Sequence, residues 1–388
     1  FLIIMRISLV IQDLYRLGAQ YVTAMVANGL AQRGHEVAVV VSAVHDRIGR
    51  ESPDLKPFPL DPRVALVHLP YARASRNAFA LARHFRRYRP DAILPMSGAY
   101  VVACALARTL AGQARTARLI PVQHGGGVGM RREQSRVSGS RCIRLPTVMT
   151  RWVAHSADAV VAVSRGTADA LVAQGRYPAD RIHVINNPVV DDTFDARSRK
   201  PATHPWLQSK SEPVIVAAGS HAAVKGYDVL LRAFAWVRLR RPCRLILFGE
   251  GALTESYRRL AAELKVDGYV SLPGFAGNLP AEIRRADLFV VSSHCESFSI
   301  VLVEALACGV PVVATNCPSG PPEILRNGLY GLLVQPDNPA ALAEGIVKVL
   351  EGHGIQPPPE SWAPYRLDRI IDQYEALLVE LLAAGRAK

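Results

Sequence analysis

The feature that most constrains this chain is an alternation of short apolar runs with segments of helical periodicity, which occurs twice along the sequence. Runs such as 7–11, 36–42 and 214–218 are apolar at successive positions rather than at every second position. Strands of this kind are buried on both faces, which is typical of parallel sheets covered by helices. The sequence therefore predicts an α/β protein with two doubly wound, Rossmann-like domains.

A polar, proline-containing stretch at 191–213 predicts a linker between the two patterns. We accordingly place an N-terminal domain at 1–193, a C-terminal domain at 194–362 and a final amphipathic helix at 363–388, which we expect to pack back on the N-terminal domain. Ligands of such sheets bind outside the carboxyl ends of the strands, and clefts between domains are favoured sites. We therefore expect an inter-domain cleft to hold the ligand.

Composition supports a folded protein in a reducing compartment. Hydrophobic residues make up 49% of the 388 residues and charged residues 20%, a profile that does not suit disorder. The six cysteines are scattered without a C-x-x-C pair, which argues against a structural zinc site and against a disulfide scaffold. We expect a cytoplasmic protein.

The positive charge is concentrated in the first half. The net charge is +13, and residues 73–151 hold 15 arginines but only two acidic residues, Asp91 and Glu133. Such a local excess indicates an anionic partner, and the arginine fork suits phosphate; the alternative is a solvated basic face. No nucleic-acid-binding motif accompanies the charge.

The most specific motif is Glu296-Ser-Phe-Ser-Ile-Val-Leu-Val-Glu304, which follows a predicted strand and opens a predicted helix at 300–308. Eight residues would span about 12 Å if they were wholly helical, which is roughly the reach from the hexose to the ribose of a nucleotide sugar. Carboxylates accept paired hydrogen bonds from sugar hydroxyls, so two of them could hold both ends of one donor. The alternative is two solvated acids, but Glu304 stands among apolar helix residues and a buried carboxylate needs partners.

Two features near this pair suit a diphosphate. The N–H groups of Phe298, Ser299 and Ile300 are expected to point out of a helix N-terminus, which attracts phosphate. Lys225, in a loop after the strand at 214–218, can stabilise the charge that develops on a leaving nucleotide. No D-x-D element occurs in the sequence, so we expect no metal ion and no other cofactor.

The sequence resembles glycosyltransferase family four, whose members are retaining enzymes of the GT-B fold. The resemblance rests on Glu296 and Glu304 as an E-x7-E element, on Lys225-Gly226, and on weaker matches such as 17–20, 27–37 and 124–126. It covers nearly the whole chain. It implies front-face attack with retained configuration, in which the departing phosphate helps to take the acceptor proton.

The resemblance also implies roles for single residues. Glu304 would bind the ribose, Glu296 the transferred sugar and Lys225 the diphosphate. His124 would hydrogen-bond the donor sugar or its phosphate. The loop that contains His124, 124–129, looks like a phosphate-binding loop but lacks the Walker lysine and the dinucleotide spacing, so we interpret it as a strand-end loop. Gly18 would let the backbone approach the donor phosphates or the acceptor, and Phe275 would lie beside the base.

One position departs from the family pattern. The family usually has an arginine directly after the glycine that precedes Lys225, but this chain has Ser220 there, followed by His221. We still expect Ser220 to lie at the donor, but the leaving group would be near less positive charge than in family members that have the arginine. His221 or an arginine from elsewhere would compensate. The other histidines at 45, 84 and 353 are interpreted as solvated.

The acceptor side is predicted from the basic segments. The predicted helix at 75–88 carries Arg83, Arg86 and Arg87 with Phe79, Leu81 and Phe85, and a basic helix with an apolar face can lie on an anionic membrane. The alternative is a core-packed helix with basic outer residues. Arg131 and Arg132, in a loop at 128–146, could grip a lipid diphosphate.

Together these observations predict a metal-independent glycosyltransferase at the inner face of the membrane. It would move a hexose or N-acetylhexosamine from a nucleotide sugar, UDP-linked by our interpretation, to a lipid-linked saccharide or another glycan acceptor. The alternatives are a nucleotide-sugar epimerase of GT-B architecture and a non-catalytic nucleotide-sugar-binding protein.

Overall fold

A computed structural model describes residues 3–15, 18–51, 56–125, 152 and 154–386. These residues divide into two compact units: unit 1 holds those up to Val189 together with Leu367 and the residues that follow it, and unit 2 holds Val190–Arg366. Each unit is an α/β structure built on parallel strands. Within the described residues, no helix has both the length and the apolar character that a membrane crossing requires.

Unit 1 begins with a five-stranded parallel sheet in the order β3-β2-β1-β4-β5 and continues into a three-stranded sheet in the order β6-β7-β8. Its elements in chain order are β1 (Arg6–Val10), α1 (Gly18–Gln32), β2 (Glu36–Val41), α2 (Ala43–Glu51), β3 (Ala65–His68), α3 (Ala78–Tyr88), β4 (Ala92–Pro95), α4 (Gly98–Leu110), β5 (Arg118–Leu119), β6 (Val122–Gln123), β7 (Val160–Ala162), α5 (Arg165–Ala173) and β8 (Ile182–Val184).

Unit 2 contains a six-stranded parallel sheet in the order β11-β10-β9-β12-β13-β14. Its elements are α6 (Phe194–Ser198), α7 (Pro205–Gln208), β9 (Val214–Ala218), α8 (Tyr227–Arg240), β10 (Arg244–Phe248), α9 (Thr254–Glu263), β11 (Val270–Gly274), α10 (Leu279–Arg284), β12 (Leu288–Val291), α11 (Ile300–Ala307), β13 (Val312–Thr315), α12 (Pro321–Ile324), β14 (Leu332–Val334) and α13 (Pro339–Lys348).

The central strands are buried along their length, which explains their continuous apolar sequences. Every residue of β9 and β12 is buried, and in β1 and β2 only the first residue is exposed. Helices therefore cover both faces of each large sheet, as the uninterrupted apolar runs predicted. The segment 118–123 holds two short strands, β5 and β6, with Ile120 and Pro121 between them.

The segment predicted as a linker at 191–213 is more ordered than its composition indicates. It contains the short helices α6 and α7, and the backbone N–H of Thr203 donates to the carboxylate of Glu282 at 2.6 Å. Glu282 is only 1% exposed, and it also accepts from the Thr203 hydroxyl at 2.7 Å. This buried carboxylate fixes the polar segment in place, which a composition pattern does not reveal.

The last helix, α14 (Leu367–Arg386), packs on α1 of unit 1. A Cβ atom at Gly29 of α1 would lie 2.5 Å from Cγ1 of Ile371, so the two helices approach closely where glycine has no side chain. Around this contact Arg33 forms ion pairs with Asp372 at 2.6 Å and with Glu375 at 3.0 Å. The helix is thereby joined to the first unit by both packing and charge.

Candidate active site

A cation and a carboxylate meet at the carboxyl edge of the unit 2 sheet. The Nζ atom of Lys225 lies 2.6 Å from Oε1 of Glu296, and the hydroxyl of Ser293 donates to the same oxygen at 2.8 Å. Glu296 is 8% exposed, so its charge is balanced largely by protein groups. The pair combines a positive group with an acceptor of hydroxyl hydrogen bonds, which is what a sugar diphosphate requires.

The turn that carries Lys225 depends on Gly226. Gly226 has φ +59°, and a Cβ atom there would lie 2.3 Å from the carbonyl oxygen of Ser292. The Ser292 hydroxyl donates to the carbonyl of Lys225 at 2.8 Å, and the N–H of His294 donates to the carbonyl of Val224 at 2.9 Å. The segment after β12 thus holds the lysine turn against the segment that bears Glu296.

The helix after Glu296 begins at Ile300 and is preceded by a strained residue. Ser299 has φ +84°, its side chain does not cap the helix, and its hydroxyl oxygen is buried without a hydrogen-bond partner. Non-glycine residues in this region of φ are held there by their surroundings and concentrate at functional sites. Residues 296–299 are not helical, so the estimate of 12 Å for a wholly helical spacing does not apply.

The second carboxylate of the motif, Glu304, is buried within α11 and makes no hydrogen bond to any described residue. Burial raises its pKa to about 7, and the charge of Arg197 opposes this shift. A buried carboxylate without a partner is costly, so Glu304 is suited to a ligand that donates hydrogen bonds. Sequence reasoning missed Arg197, because nothing in the pattern of 191–213 relates it to Glu304.

Three other donor-side predictions fall in unit 2. Phe298 is buried, with its ring 5.3 Å from that of Tyr365. Ser220 is half-buried in the loop after β9, and Phe275, after β11, is 45% exposed.

His221 does not supply the charge that Ser220 lacks. It is fully buried, its ring lies against those of Tyr227 and Tyr257, and its Nδ1 is 2.9 Å from the hydroxyl of Thr254. Burial lowers its pKa, so the ring is held neutral. The expectation that His221 compensates as a cation is therefore wrong, because the side chain is part of the packing between β9 and its neighbouring helices.

Two predicted residues lie in unit 1. Gly18 is exposed and is the first residue of α1. His124 follows β6, its Nε2 atom is buried without a hydrogen-bond partner, and burial lowers its pKa to about 4. The imidazole of His124 is thus neutral at pH 7, and it can exchange a hydrogen bond with a ligand but cannot supply charge.

The basic helix α3 has its apolar side chains divided between core and solvent. Leu81 and Phe85 are fully buried, whereas Phe79 is 78% exposed. Leu81 and Phe85 therefore agree with the interpretation of a core-packed helix with basic outer residues, and of the three apolar side chains only that of Phe79 faces solvent. Arg83, Arg86 and Arg87 are exposed, and Arg86 donates to the carbonyl of Leu110 at the end of α4. Arg131 and Arg132 lie outside the described residues.

Two interpretations of single histidines are also corrected. His84 contacts the hydroxyl of Ser8 at 3.1 Å, and burial lowers its pKa to about 4, so it is not solvated. His45 is 6% exposed and lies in a buried cluster of unit 1. Among the described residues, no group of three His, Cys, Asp or Glu side chains is arranged to hold a metal ion.

Two family models match this chain: Glycosyltransferase Family 4 over residues 17–193, and Glycosyl transferases group 1 over residues 200–365. The chain is 23% identical over 382 residues to N-acetyl-alpha-D-glucosaminyl L-malate synthase of Bacillus anthracis, covering 94% of each protein. It is 29% identical over 195 residues to N-acetylgalactosamine-N,N'-diacetylbacillosaminyl-diphospho-undecaprenol 4-alpha-N-acetylgalactosaminyltransferase of Campylobacter jejuni, covering 50% of this chain and 51% of that protein.

A solved structure of Anabaena HepE in complex with UDP and glucose has the same fold. Its TM-score is 0.75 at 19% identity, with 97% of this chain and 99% of that chain covered. The fold and the comparisons define the class as a GT-B enzyme that transfers a sugar from a nucleotide sugar. The chain belongs to glycosyltransferase family four. The predicted family, fold class and sugar transfer are confirmed.

Proposed function

We propose that this enzyme is a retaining, metal-independent transferase that moves a hexose or N-acetylhexosamine from a UDP-linked donor to a lipid-linked saccharide. The observation that carries the proposal is the Lys225–Glu296 pair at the carboxyl edge of the unit 2 sheet, followed by the N-terminus of α11 and by Glu304. A cation and a helix N-terminus suit a diphosphate, and two carboxylates suit the hydroxyls of a sugar and a ribose.

The donor would be divided among these groups. Glu296 contacts the transferred sugar, Lys225 and the N–H groups of 298–300 contact the diphosphate, and Glu304 contacts the ribose. Phe275 lies by the base and Ser220 by the phosphates. Gly18 and His124 of unit 1 contribute to the donor or the acceptor, with His124 acting as a neutral hydrogen-bonding group.

In the reaction, the bond between the anomeric carbon and the phosphate oxygen breaks while the acceptor oxygen attacks from the same face. The acceptor proton passes to the departing phosphate oxygen, so no protein nucleophile is needed. The nucleoside diphosphate carries the negative charge that develops, and Lys225 together with the helix N-terminus stabilises it. Because Ser220 stands where the family usually has an arginine, Lys225 carries more of this stabilisation unless an arginine from elsewhere compensates.

The choice of substrates draws on the relatives. The Campylobacter jejuni enzyme is named for an acceptor on diphospho-undecaprenol, the Bacillus anthracis enzyme for an N-acetylglucosaminyl group, and HepE was solved with UDP and glucose. The excess of arginine in residues 73–151 suits an acceptor that carries phosphate.

A thermal-shift panel of nucleotides and nucleotide sugars tests the donor. We expect UDP and UDP-sugars to raise the melting temperature of the enzyme. The same ligands should raise the melting temperatures of Glu304→Ala and Lys225→Ala by less. Stabilisation by guanosine or adenosine nucleotides in preference to UDP would contradict the proposed base. Transfer that is abolished by EDTA and restored by Mn²⁺ would contradict metal independence.

Product analysis separates transfer from the alternatives. Incubation with the donor but no acceptor should leave the donor sugar unchanged apart from slow hydrolysis, and an epimerised free nucleotide sugar would indicate an epimerase instead. Binding of UDP without turnover on any lipid-linked acceptor would indicate a non-catalytic binding protein. The anomeric configuration of the product, measured by NMR coupling constants, tests retention.

We further propose that α3 of unit 1 contacts the cytoplasmic face of an anionic membrane. Phe79 is 78% exposed, and the neighbouring Arg83 and Arg87 are exposed and make no hydrogen bond or ion pair to described residues. An aromatic ring with arginines around it suits the interface of an anionic bilayer. Arg131 and Arg132 are proposed to act on the same acceptor.

Flotation with vesicles of phosphatidylglycerol and phosphatidylcholine tests this surface. Phe79→Ser should reduce binding to anionic vesicles, whereas Leu239→Ser should leave it unchanged. Leu239 is a matched control, because it is an 87% exposed apolar residue on α8 of unit 2 that also has arginines beside it. Equal losses in both variants, or no binding by the unchanged protein, would contradict a membrane contact through α3.

A further inference from the structure

Two cysteine thiols lie beside Glu296, in the segments that follow two neighbouring strands of the unit 2 sheet. Cys295 comes after the end of β12, and Cys317 comes after the end of β13. The two strands pair in parallel, with Val291 opposite Ala314. Because parallel strands run in the same direction, the two segments leave the edge of the sheet side by side.

Contacts between these segments continue beyond the strands. The hydroxyl of Thr315 donates to the carbonyl of Ser293 at 2.5 Å. Further along, the hydroxyl of Ser319 donates to the carbonyl of Glu296. One of these contacts precedes the two cysteines and the other follows them. The cysteines therefore lie where the two segments are held together.

Both sulfur atoms are close to the backbone of Glu296. Sγ of Cys295 is 4.0 Å from the carbonyl oxygen of Glu296. Sγ of Cys317 is 3.4 Å from the carbonyl oxygen of Ser319, the residue whose hydroxyl donates to that same Glu296 carbonyl. The N–H of Glu296 also faces the sulfur of Cys317, and the two thiols interact electrostatically. The thiols thus share the peptide segment that holds the carboxylate bonded to Lys225.

We propose that Cys295 and Cys317 are an oxidisable pair that hydrogen peroxide converts to a disulfide, and that this bond slows sugar transfer at the neighbouring Lys225–Glu296 pair. Both cysteines carry thiols in the structure. Neighbouring strands run about 4.8 Å apart, and a disulfide joins Cα atoms about 4.4–6.8 Å apart, so the spacing of the two segments suits the bond. Only the predicted effect on transfer rests on the proposed function.

The two thiols differ in access, which sets the order of the steps. Cys295 is partly exposed, whereas Cys317 is 1% exposed and burial raises the pKa of its thiol to about 12. The Cys295 sulfur attacks one oxygen of the peroxide, the O–O bond breaks, and a sulfenic acid and water form. The Cys317 sulfur then attacks the Cys295 sulfur, the S–O bond breaks, and hydroxide leaves with the thiol proton as a second water. The two sulfurs lose two electrons, which the peroxide accepts.

The disulfide would disturb the site because the two segments are already closely packed. A Cβ atom at Gly320 would lie 2.5 Å from the carbonyl oxygen of Phe298, so the backbone after Cys317 cannot move closer to the backbone after Glu296. Drawing the sulfurs together to a bond of about 2.05 Å therefore shifts the segment that carries the carboxylate. A displacement of about 1 Å at a reacting centre can cost about 10²-fold in rate, so transfer should slow.

The experiment treats the reduced, full-length enzyme with hydrogen peroxide and then removes the peroxide with catalase. One portion is alkylated with iodoacetamide and digested with a protease that cleaves after glutamate, because Cys295, Cys308 and Cys317 share one tryptic peptide. We expect mass spectrometry to find a disulfide-linked peptide pair that joins Cys295 to Cys317. In the other portion, UDP release with donor and acceptor should fall about tenfold or more and recover with dithiothreitol.

Single substitutions assign the effect to the pair. The rate of each variant after peroxide is compared with its own rate before peroxide, so a change in basal activity does not enter. Cys295→Ser and Cys317→Ala should form no link and keep their untreated rates. Cys243→Ala is the matched control, because it removes a fully buried thiol from the core of unit 2. It should be inactivated by peroxide like the unchanged enzyme.

Three results would overturn the proposal: no link forms between Cys295 and Cys317, the link forms without slowing transfer, or Cys317→Ala is inactivated as fully as the unchanged enzyme. Failure of the proposed function is seen separately, as an absence of UDP-dependent transfer in the reduced enzyme before peroxide is added. In that case the linked peptide pair, which mass spectrometry detects without any substrate, still supports or overturns the thiol pair.

Discussion

The carboxyl edge of each large sheet holds a cluster of polar side chains, and the two clusters differ in how completely their side chains are hydrogen-bonded. In unit 2 Lys225, Glu296 and Ser293 bond to one another, so the charge of each ionised group is already balanced. In unit 1 His45 and Gln20 are more buried than Lys225 yet leave polar atoms unpaired. Replacing one member of a paired group leaves its partner buried without a hydrogen bond or opposite charge, which destabilises the fold. An apolar replacement of an unpaired group instead removes the desolvation cost of a buried polar atom.

Glu296→Gln is the variant from which we expect the largest effect on the paired cluster of unit 2. The amide cannot balance the charge of Lys225 and accepts sugar hydroxyl bonds less strongly, so we expect the rate of transfer to fall by about 10² to 10³-fold. The measurement is UDP release from the preferred UDP-sugar with acceptor present. UDP affinity should change far less than the rate. A variant that keeps a normal rate would show that the pair serves the fold and not the reaction.

The effect of pH on Glu304 tests whether unit 2 also contains a buried polar group without a partner. Its pKa is raised from 4.5 to about 7 in the folded enzyme by burial. A raised carboxyl pKa contributes stability that is fully present below pH 4.5 and is lost as the pH rises through 7, on the order of 3 kcal/mol in all. The melting temperature should therefore fall from pH 5 to pH 8 by more than in Glu304→Gln.

Because other groups also titrate in this range, the quantity to compare is the difference between the two proteins at each pH. Glu304→Gln keeps the size of the side chain and removes its titration. If the melting temperatures of the two proteins change with pH in parallel, the charge of the Glu304 carboxylate is balanced by a group such as Arg197. In that case Glu304 would resemble the Lys225–Glu296 pair more than the unpaired groups of unit 1.

Gly226→Ala tests how far the paired site depends on one backbone turn. The new Cβ atom would lie 2.3 Å from the carbonyl oxygen of Ser292. The alanine would also have to adopt a φ of +59°, which is unfavourable for a residue with a side chain. Gly309→Ala is the control, since Gly309 has φ +74° with no atom within 4 Å of a new Cβ. Left-handed backbone alone costs about 1–2 kcal/mol, so we expect Gly226→Ala to cost more than its control and to weaken UDP binding as well.

The denaturant midpoint of each variant and its UDP affinity by calorimetry are the two measurements. Equal destabilisation in both variants would show that the turn relaxes around the added methyl group. Unchanged UDP affinity in Gly226→Ala would separate the lysine turn from the donor site.

Sequence patterns predicted the paired site and not the unpaired one for a physical reason. Continuous apolar runs indicate buried parallel strands, and ionised residues in a strand-end motif such as Lys225 and Glu296 indicate a site directly. Whether His45 is buried depends on how α2 packs, and the sequence does not show how that helix packs. Burial of single polar side chains is set by tertiary contacts. For the same reason the sequence does not reveal that His221 packs against Tyr227 and Tyr257, or that Glu282 fixes the segment 191–213.

Ser293→Ala, for which we expect the smallest effect, tests whether the cluster of Lys225, Glu296 and Ser293 needs its serine. The Ser293 hydroxyl is a neutral donor to Oε1 of Glu296, while Lys225 remains on the same oxygen at 2.6 Å. Removing one hydrogen bond to a carboxylate should slow transfer by about three- to tenfold, with UDP affinity unchanged. Ser361→Ala is the matched control, because Ser361 is as buried but its hydroxyl has no partner. If Ser293→Ala behaves like that control, the lysine alone positions Glu296, and the site is a simple ion pair and not a network.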